Sequence, residues 1–395
     1  MTAGTRSAVA RPGLDSAAES LARFEGRPLG LVLHPASVTS QLDFAADALL
    51  GAGVRIEALF GPQHGARGEK QDNMIESEHY TDPITGLPVH SLYSEVRRPT
   101  PEMLSGLDGL LFDLQDVGVR VYTFVWTMAL AMEACAEAGI PFVVLDRPNP
   151  VGGEVREGSV LRAGFESFVG LHPIPLRHGL TAGELASWLN VERGIGCDLQ
   201  VIPCTGWRRS MHWSDTGLPW VMPSPNLPTA DSCDVYPGMV LVEGTNLSEG
   251  RGTTRPFELF GAPYLDPYAL ARAVDGALGP GVVLRPCWFE PTFQKHAGLV
   301  CGGGQLHVTD RRAVRSVHTT VAILRAVRAQ APEDFAWRPP PYEYEEVLAP
   351  IDILWGHEGL RQGVDDGASV EEILADVEGE ITDFEASVRP YLIYD

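Results

Sequence analysis

The chain has 395 residues, 44% of them hydrophobic, and a formal net charge of −22. That length supports two domains or one large core, and the hydrophobic content excludes disorder throughout. With 30 Lys and Arg against 52 Asp and Glu, nucleic acid and anionic membrane surfaces are poor partners, because both need clustered cations.

Residues 1–27 hold no apolar run long enough for a signal-peptide core and read as a flexible leading segment. No later stretch approaches a transmembrane span, so the expected location is the cytoplasm. Between residues 31 and 145, short apolar runs alternate with helical stretches. Strands are expected at 31–34 (LVLH), 55–60 (RIEALF), 109–114 (GLLFDL) and 141–145 (PFVVL), with helices at 42–52 and 127–138. Continuous apolar strands separated by helices signify a mainly parallel sheet covered on both faces. The spacing therefore predicts an α/β fold: a Rossmann-like, doubly wound domain over 28–164.

In such sheets the ligand crevice lies beyond the carboxyl ends of the strands. Four polar clusters fall there: His34 with Ser37; Gln63, His64 and Arg67; Asp113, Gln115 and Asp116 running on to Arg120 and Tyr122; and Asp146, Arg147 and Asn149. No G-x-G-x-x-G follows the first strand, which argues against a dinucleotide cofactor.

Beyond residue 150 the chain is richer in Gly and Pro. Thr181, with Glu184 three residues on, predicts a capping box that opens a helix, and His178 stands just before it. A Pro- and Trp-rich loop over 207–229, ending M-P-S-P-N-L-P-T and containing Asn226, suits a cleft wall. Helices at 267–278 and 312–330 and strands near 282–284 and 305–309 complete a smaller mixed α+β domain over 165–395. The last 25 residues have helical apolar spacing and a charged face, so their acids read as solvated surface. Six scattered cysteines without a C-x-x-C pair predict free thiols.

The run E-G-T-N-L-S-E-G-R-G-T-T-R-P-F-E at 243–258 carries the most chemistry. It follows neither a period of two nor one of 3.6, and so reads as a shaped loop. It offers Glu243, Glu249 and Glu258 as carboxylates, with Asn246, Ser248, Arg251 and Thr253 as hydrogen-bonding groups. Glycosidic cleavage needs one carboxyl that donates a proton and another that attacks or activates water. Glu249, Glu243 and Asp116 are the favoured carboxylates, and His64 is a further acid or donor. Arg67, Arg120, Arg147 and Arg251 suit a bidentate grip on a substrate carboxylate. The alternative for these charged groups is pairing among themselves. Asp113, Asp116 and His64 match no compact metal-ligand pattern, so no metal is expected. Ser-His-Asp chemistry lacks its G-x-S-x-G turn.

The motifs G-P-Q-H-G-A-R-G (61–68), D-L-Q-D-V-G-V-R-V-Y-T (113–123), L-D-R-P-N-P-V-G-G (145–153), S-F-V-G-L-H-P-I-P-L-R-H-G-L-T-A-G-E-L-A (167–186), P-S-P-N-L-P-T (223–229) and the 243–258 run together resemble the exo-β-N-acetylmuramidase (NamZ) family of peptidoglycan hexosaminidases. The resemblance runs from about residue 28 to the closing R-P-Y-L-I-Y. It implies an interdomain cleft that holds a terminal N-acetylmuramic acid, and hydrolysis of its β-1,4 bond from the non-reducing end without cofactor or metal. The sugar-contacting residues are expected among Gln63, Arg67, Asp113, Gln115, Arg120, Tyr122, Asp146, Arg147, Asn149, His178, Asn226, Asn246, Ser248, Arg251 and Thr253. Many family members carry a glutamate in the turn P-E-H-G as the leading catalytic acid, where this chain has Gln63. An amide cannot serve as a carboxylic acid, so Glu69 and Glu249 are the expected substitutes. A sugar-binding or regulatory protein that keeps the cleft is the rival reading. An imported muropeptide or disaccharide, met by a monomer or homodimer, is the expected partner.

Overall fold

The computed structural model describes residues 10–68, 70 and 76–395. Its strands are β1 (Leu29–Leu33), β2 (Ile56–Gly61), β3 (Tyr80–Thr81), β4 (Pro88–Ser91), β5 (Leu110–Asp113), β6 (Phe142–Leu145), β7 (Glu157–Val160), β8 (Pro175–Arg177), β9 (Leu199–Ile202), β10 (Leu259–Ala262), β11 (Val282–Phe289) and β12 (Cys301–Val308).

The largest sheet has seven strands in the order β3-β4-β2-β1-β5-β6-β9. All neighbours are parallel except β3, which pairs antiparallel with β4 at the edge. The apolar runs explain this arrangement. Every residue of β1, β5 and β6 is buried, as strands covered on both faces require. In register, Phe60, Val32, Phe112 and Val144 line up across four strands. The helix Phe124–Ala138 covers one face and ends on Gly139 at φ 68°, the left-handed position that a helix stop needs. The helix Ala182–Glu192 opens on the expected capping box of Thr181 and Glu184.

Two features differ from the sequence-based expectation. The sheet does not end near residue 164, because β9 pairs with β6 and lies downstream of the β7–β8 hairpin; strand pairing is set by tertiary packing, which the order of elements does not reveal. Nor is the leading segment loose from residue 10 onward. Leu14, Ala17, Leu21 and Phe24 pack into the cluster beneath the sheet with Leu31, Leu33 and Leu145, and Gly13 N donates to Asp146 O at 2.7 Å.

The remainder is smaller and mixed. A three-stranded antiparallel sheet, β10-β12-β11, packs with helices Ala230–Met239, Pro267–Ala273 and Ser316–Gln330, followed by Pro350–Trp355, Gly359–Asp365 and Val370–Val388. Ala230–Met239 and Ser316–Gln330 approach so closely that a Cβ on Gly238 would overlap the Ser316 carbonyl. One hydrophobic cluster runs from Phe112 and Trp126 to Val242, Ile323 and Trp355, so both parts share a core. Arg120 ties them further. Fully buried, it donates through Nη1 to the carbonyls of Ser159 and Ile174, and through Nη2 to those of Leu354 and Trp355.

Candidate active site

Strand β1 is the point where the chain turns from one side of the sheet to the other, and strands β2 and β5 flank it. The loops leaving these two strands meet in a narrow cavity of about 40 Å3. From the turn after β2 come Gln63 and His64. Gly65 N donates to Pro62 O at 2.9 Å, closing a four-residue turn in which His64 takes φ 70°. That left-handed position normally goes to Gly or Asn and is strained for other residues. From the loop after β5 come Tyr122 and Thr123. Ser224, Asn226 and Leu227 of the Pro-rich loop, Glu243 and Arg251 of the 243–258 run, and Tyr342 and Glu343 close the far side.

The polar groups interlock. Thr123 Oγ1 donates to Gln63 Oε1 at 2.7 Å, while Gln63 Nε2 donates to the Tyr93 hydroxyl at 3.0 Å and reaches Glu343 Oε1 at 3.4 Å. Tyr93 donates to Glu343 Oε2 at 2.8 Å, and burial next to that carboxylate raises the phenol far above its ordinary range. His64 Nε2 lies 3.3 Å from Ser224 Oγ, and the Tyr122 hydroxyl is spent on Pro223 O at 2.7 Å. Tyr122, Tyr236 and Phe257 form an edge-to-face aromatic wall, with centroids 6.3 Å and 4.7 Å apart.

The 243–258 run is a buried loop built on charge. Arg251 bonds Glu243 at 2.8 Å and Glu249 at 2.7 Å, and its guanidinium lies 5.0 Å from the centre of the Phe257 ring. The other Glu243 oxygen accepts from the Tyr342 hydroxyl at 2.9 Å. Glu249 also meets Lys295 Nζ at 3.0 Å, and that lysine caps the carbonyls of Val242, Glu243 and Leu247. Burial alone would push the Glu249 carboxyl up; the two cations overcome it and hold the carboxyl down at about 2. For Lys295 the balance falls the other way, because its desolvation outweighs the pair and lowers the ammonium. Glu249 thus stands behind the cavity wall as a permanent anion, and Glu243 presents at the surface of the cavity.

Several residues expected at the site are engaged elsewhere. Asp113 and Arg147 form a buried bidentate pair at 2.6 and 2.8 Å. Asp116 accepts from Gly118 N and faces the buried His178 at 3.2 Å. The Asp146 carboxylate accepts from Thr181, Gly183, Tyr394 and Arg147 N, bracing a helix start, and burial raises it to about 6. Gln115 and Asn149 bond local carbonyls. Arg67 is exposed and pairs with Asp82 at 3.4 Å. The buried Arg120 donates to four backbone carbonyls, which withdraws it from any substrate acid group. Asn246 bonds Tyr264 and Asp334 O, while Ser248 and Thr253 tie their own loop. Glu258 accepts from Ser232. Glu69 lies outside the described residues.

Sequence reasoning passed over Tyr93, Tyr342, Glu343 and Lys295. Tyr342 and Glu343 lie about a hundred positions beyond the loop they face, within a Pro-rich stretch that has no periodic pattern. Among the described residues, no helix is long and apolar enough to cross a membrane, and the six cysteines are buried and free.

Known proteins match both parts of the chain. The N-terminal model of exo-β-N-acetylmuramidase NamZ matches residues 29–231 and its C-terminal model matches 234–394. Peptidoglycan β-N-acetylmuramidase NamZ of Bacillus subtilis (strain 168) is 46% identical over 373 residues, 94% of this chain and 88% of that protein. A crystal structure of a DUF1343 family protein from Bacteroides fragilis NCTC 9343 superposes with a TM-score of 0.88 at 32% identity, covering 99% of this chain and all of that one. A second DUF1343 protein of the same organism gives 0.77 at 27% identity, with 98% and 99% covered. On both of its domains, therefore, this chain belongs to the exo-β-N-acetylmuramidase NamZ family.

Proposed function

We propose that this chain is a glycoside hydrolase that removes a terminal, non-reducing N-acetylmuramic acid from peptidoglycan fragments, and that the cavity beyond β2 and β5 holds that sugar. The observation that carries the reading is the convergence, beyond β2 and β5, of the Glu243 carboxylate, an aromatic wall and hydrogen-bonding side chains from distant segments. The activity attributed to the Bacillus subtilis relative, 46% identical over nearly the whole chain, supports the same reading.

Glu243 sits where a carboxylate would oppose positive charge developing at the anomeric carbon. Its own orientation is fixed by Arg251 on one oxygen and Tyr342 on the other. His64, which lines the cavity, supplies a donor for the lactyl carboxylate of the sugar, while Arg251 is held by Glu243 and Glu249. Gln63 replaces the glutamate that the resemblance implies for this turn, and in our reading it binds rather than reacts: its amide bridges Thr123, Tyr93 and Glu343. The substrate would be a soluble muropeptide or disaccharide, met in the cytoplasm.

Purified protein should release N-acetylmuramic acid from a chromogenic muramic acid glycoside, and Glu243→Gln should slow that release by roughly 10²-fold or more. Absence of turnover above buffer on muramic, glucosamine and other hexosaminide substrates would overturn the assignment. Saturable binding without product would then favour the sugar-binding alternative.

A further inference from the structure

Glu343 borders two spaces at once. On one side is the narrow cavity beyond β2 and β5; on the other is an open groove of about 470 Å3, lined by Arg97, Phe168 and Tyr344 together with Glu76, Glu95 and Glu345. The carboxylate is buried and accepts from the Tyr93 hydroxyl and the Gln63 amide.

The backbone that presents it is unusual. Tyr342 and Glu345 exchange both backbone hydrogen bonds at 2.9 Å, so Glu343 and Tyr344 are the two central residues of a tight hairpin turn, with φ of 45° and 69°. Such turns need positive φ at both positions and normally take Asn and Gly. Placing a glutamate and a tyrosine there costs about 1–3 kcal/mol for each strained residue, and strain of this kind clusters at functional sites. Tyr344 is 51% exposed. Its ring covers Arg97, whose guanidinium lies 4.3 Å from the Tyr344 centroid and 4.4 Å from that of Tyr93. This fixed aromatic surface with polar groups at its rim suits the apolar C–H face and peripheral hydroxyls of a neutral sugar ring.

We propose that Glu343 is the proton donor to the glycosidic oxygen, and that the groove beyond it is the subsite for the leaving sugar, with Tyr344 as its platform. The proposal rests on the hydrolase reading above. The Glu343 carboxyl gives its proton to the glycosidic oxygen as the C1–O bond breaks. The bonding pair stays on that oxygen, which departs as a hydroxyl of the leaving sugar. The water that adds to C1 returns a proton to the Glu343 carboxylate. The muramic acid ring fills the inner cavity, and the scissile bond passes over the turn.

The test compares leaving groups. Glu343→Gln should slow hydrolysis of a muramic acid–glucosamine disaccharide by roughly 10²-fold or more, yet stay within about tenfold of wild type on a 2,4-dinitrophenyl muramic acid glycoside, whose leaving group needs no proton. The wild-type loss of disaccharide activity at high pH should disappear in this variant. The ratio of the two rates, measured on one preparation, does not depend on how much of it is folded, and Glu343→Ala should give the same ratio. Tyr344→Ala should raise KM for the disaccharide while leaving binding of free N-acetylmuramic acid unchanged. An equal loss on both substrates would overturn the role of Glu343, and an unchanged disaccharide KM in Tyr344→Ala would overturn the groove. Wild-type protein inert on both substrates would remove the hydrolase reading itself.

Discussion

Glu249 shows why a carboxylate rich in polar neighbours is hard to assign from sequence. The sequence favours it because glycosidic cleavage needs a pair of carboxyls and it lies in the charge-rich 243–258 loop; in the fold, Arg251 and Lys295 take both of its oxygens. Its folded-state carboxyl titrates near 2, below the ordinary 4.5, so the unfolded chain binds the extra proton between these values. The resulting stability is present above about pH 4.5 and is lost as pH falls towards 2. Glu249→Gln should therefore cost on the order of 3 kcal/mol at pH 7, a difference that narrows through this window. Chemical denaturation of both proteins at pH 7 and pH 3 measures it, and an equal gap at the two values would refute the ion-pair account. Asp113, Asp116 and Asp146 make the same point: sequence shows that a polar group lies at a strand end, but not which backbone and side-chain partners it finds there. Gln63 and His64 were legible because a tight turn directly after a buried strand has only one place to go in a parallel sheet.

At the scale of elements, what sequence revealed followed the strength of the periodic signal. The strands at β1, β2, β5 and β6 and the capping box at Thr181 are strong local patterns, and all appear in the fold. β9 lies downstream of residue 164 yet belongs to the main sheet, because strand pairing is set by tertiary packing. The turn carrying Glu343 was missed entirely, since its residues contradict the usual chemistry of such a turn. Helix packing also places the site. Gly238 lets the helix Ala230–Met239 lie against Ser316–Gln330, and this positions the segment that leads to Glu243. Gly238→Ala should cost about 1–3 kcal/mol by overpacking, read as a lower melting temperature. A variant as stable as wild type would mean that the contact is looser than described.

Across the whole molecule, the cavity draws on segments that are distant in sequence: the turn at 62–65, the loop at 121–123, residues 224–227, the run at 243–257 and the turn at 342–345. The shared core and the Arg120 clamp hold these parts in one frame. A strongly acidic protein thereby keeps an arginine at its cavity, with its charge balanced by Glu243 and Glu249 instead of left open to solvent. The central claim is the location of the terminal sugar, and a crystal structure with bound N-acetylmuramic acid tests it most directly. The account predicts the pyranose ring between Gln63, Tyr122 and Glu243, with its anomeric carbon facing Glu343. A ring bound instead beside Arg147 and Gln115, in the separate pocket that they line with Trp213, would contradict it.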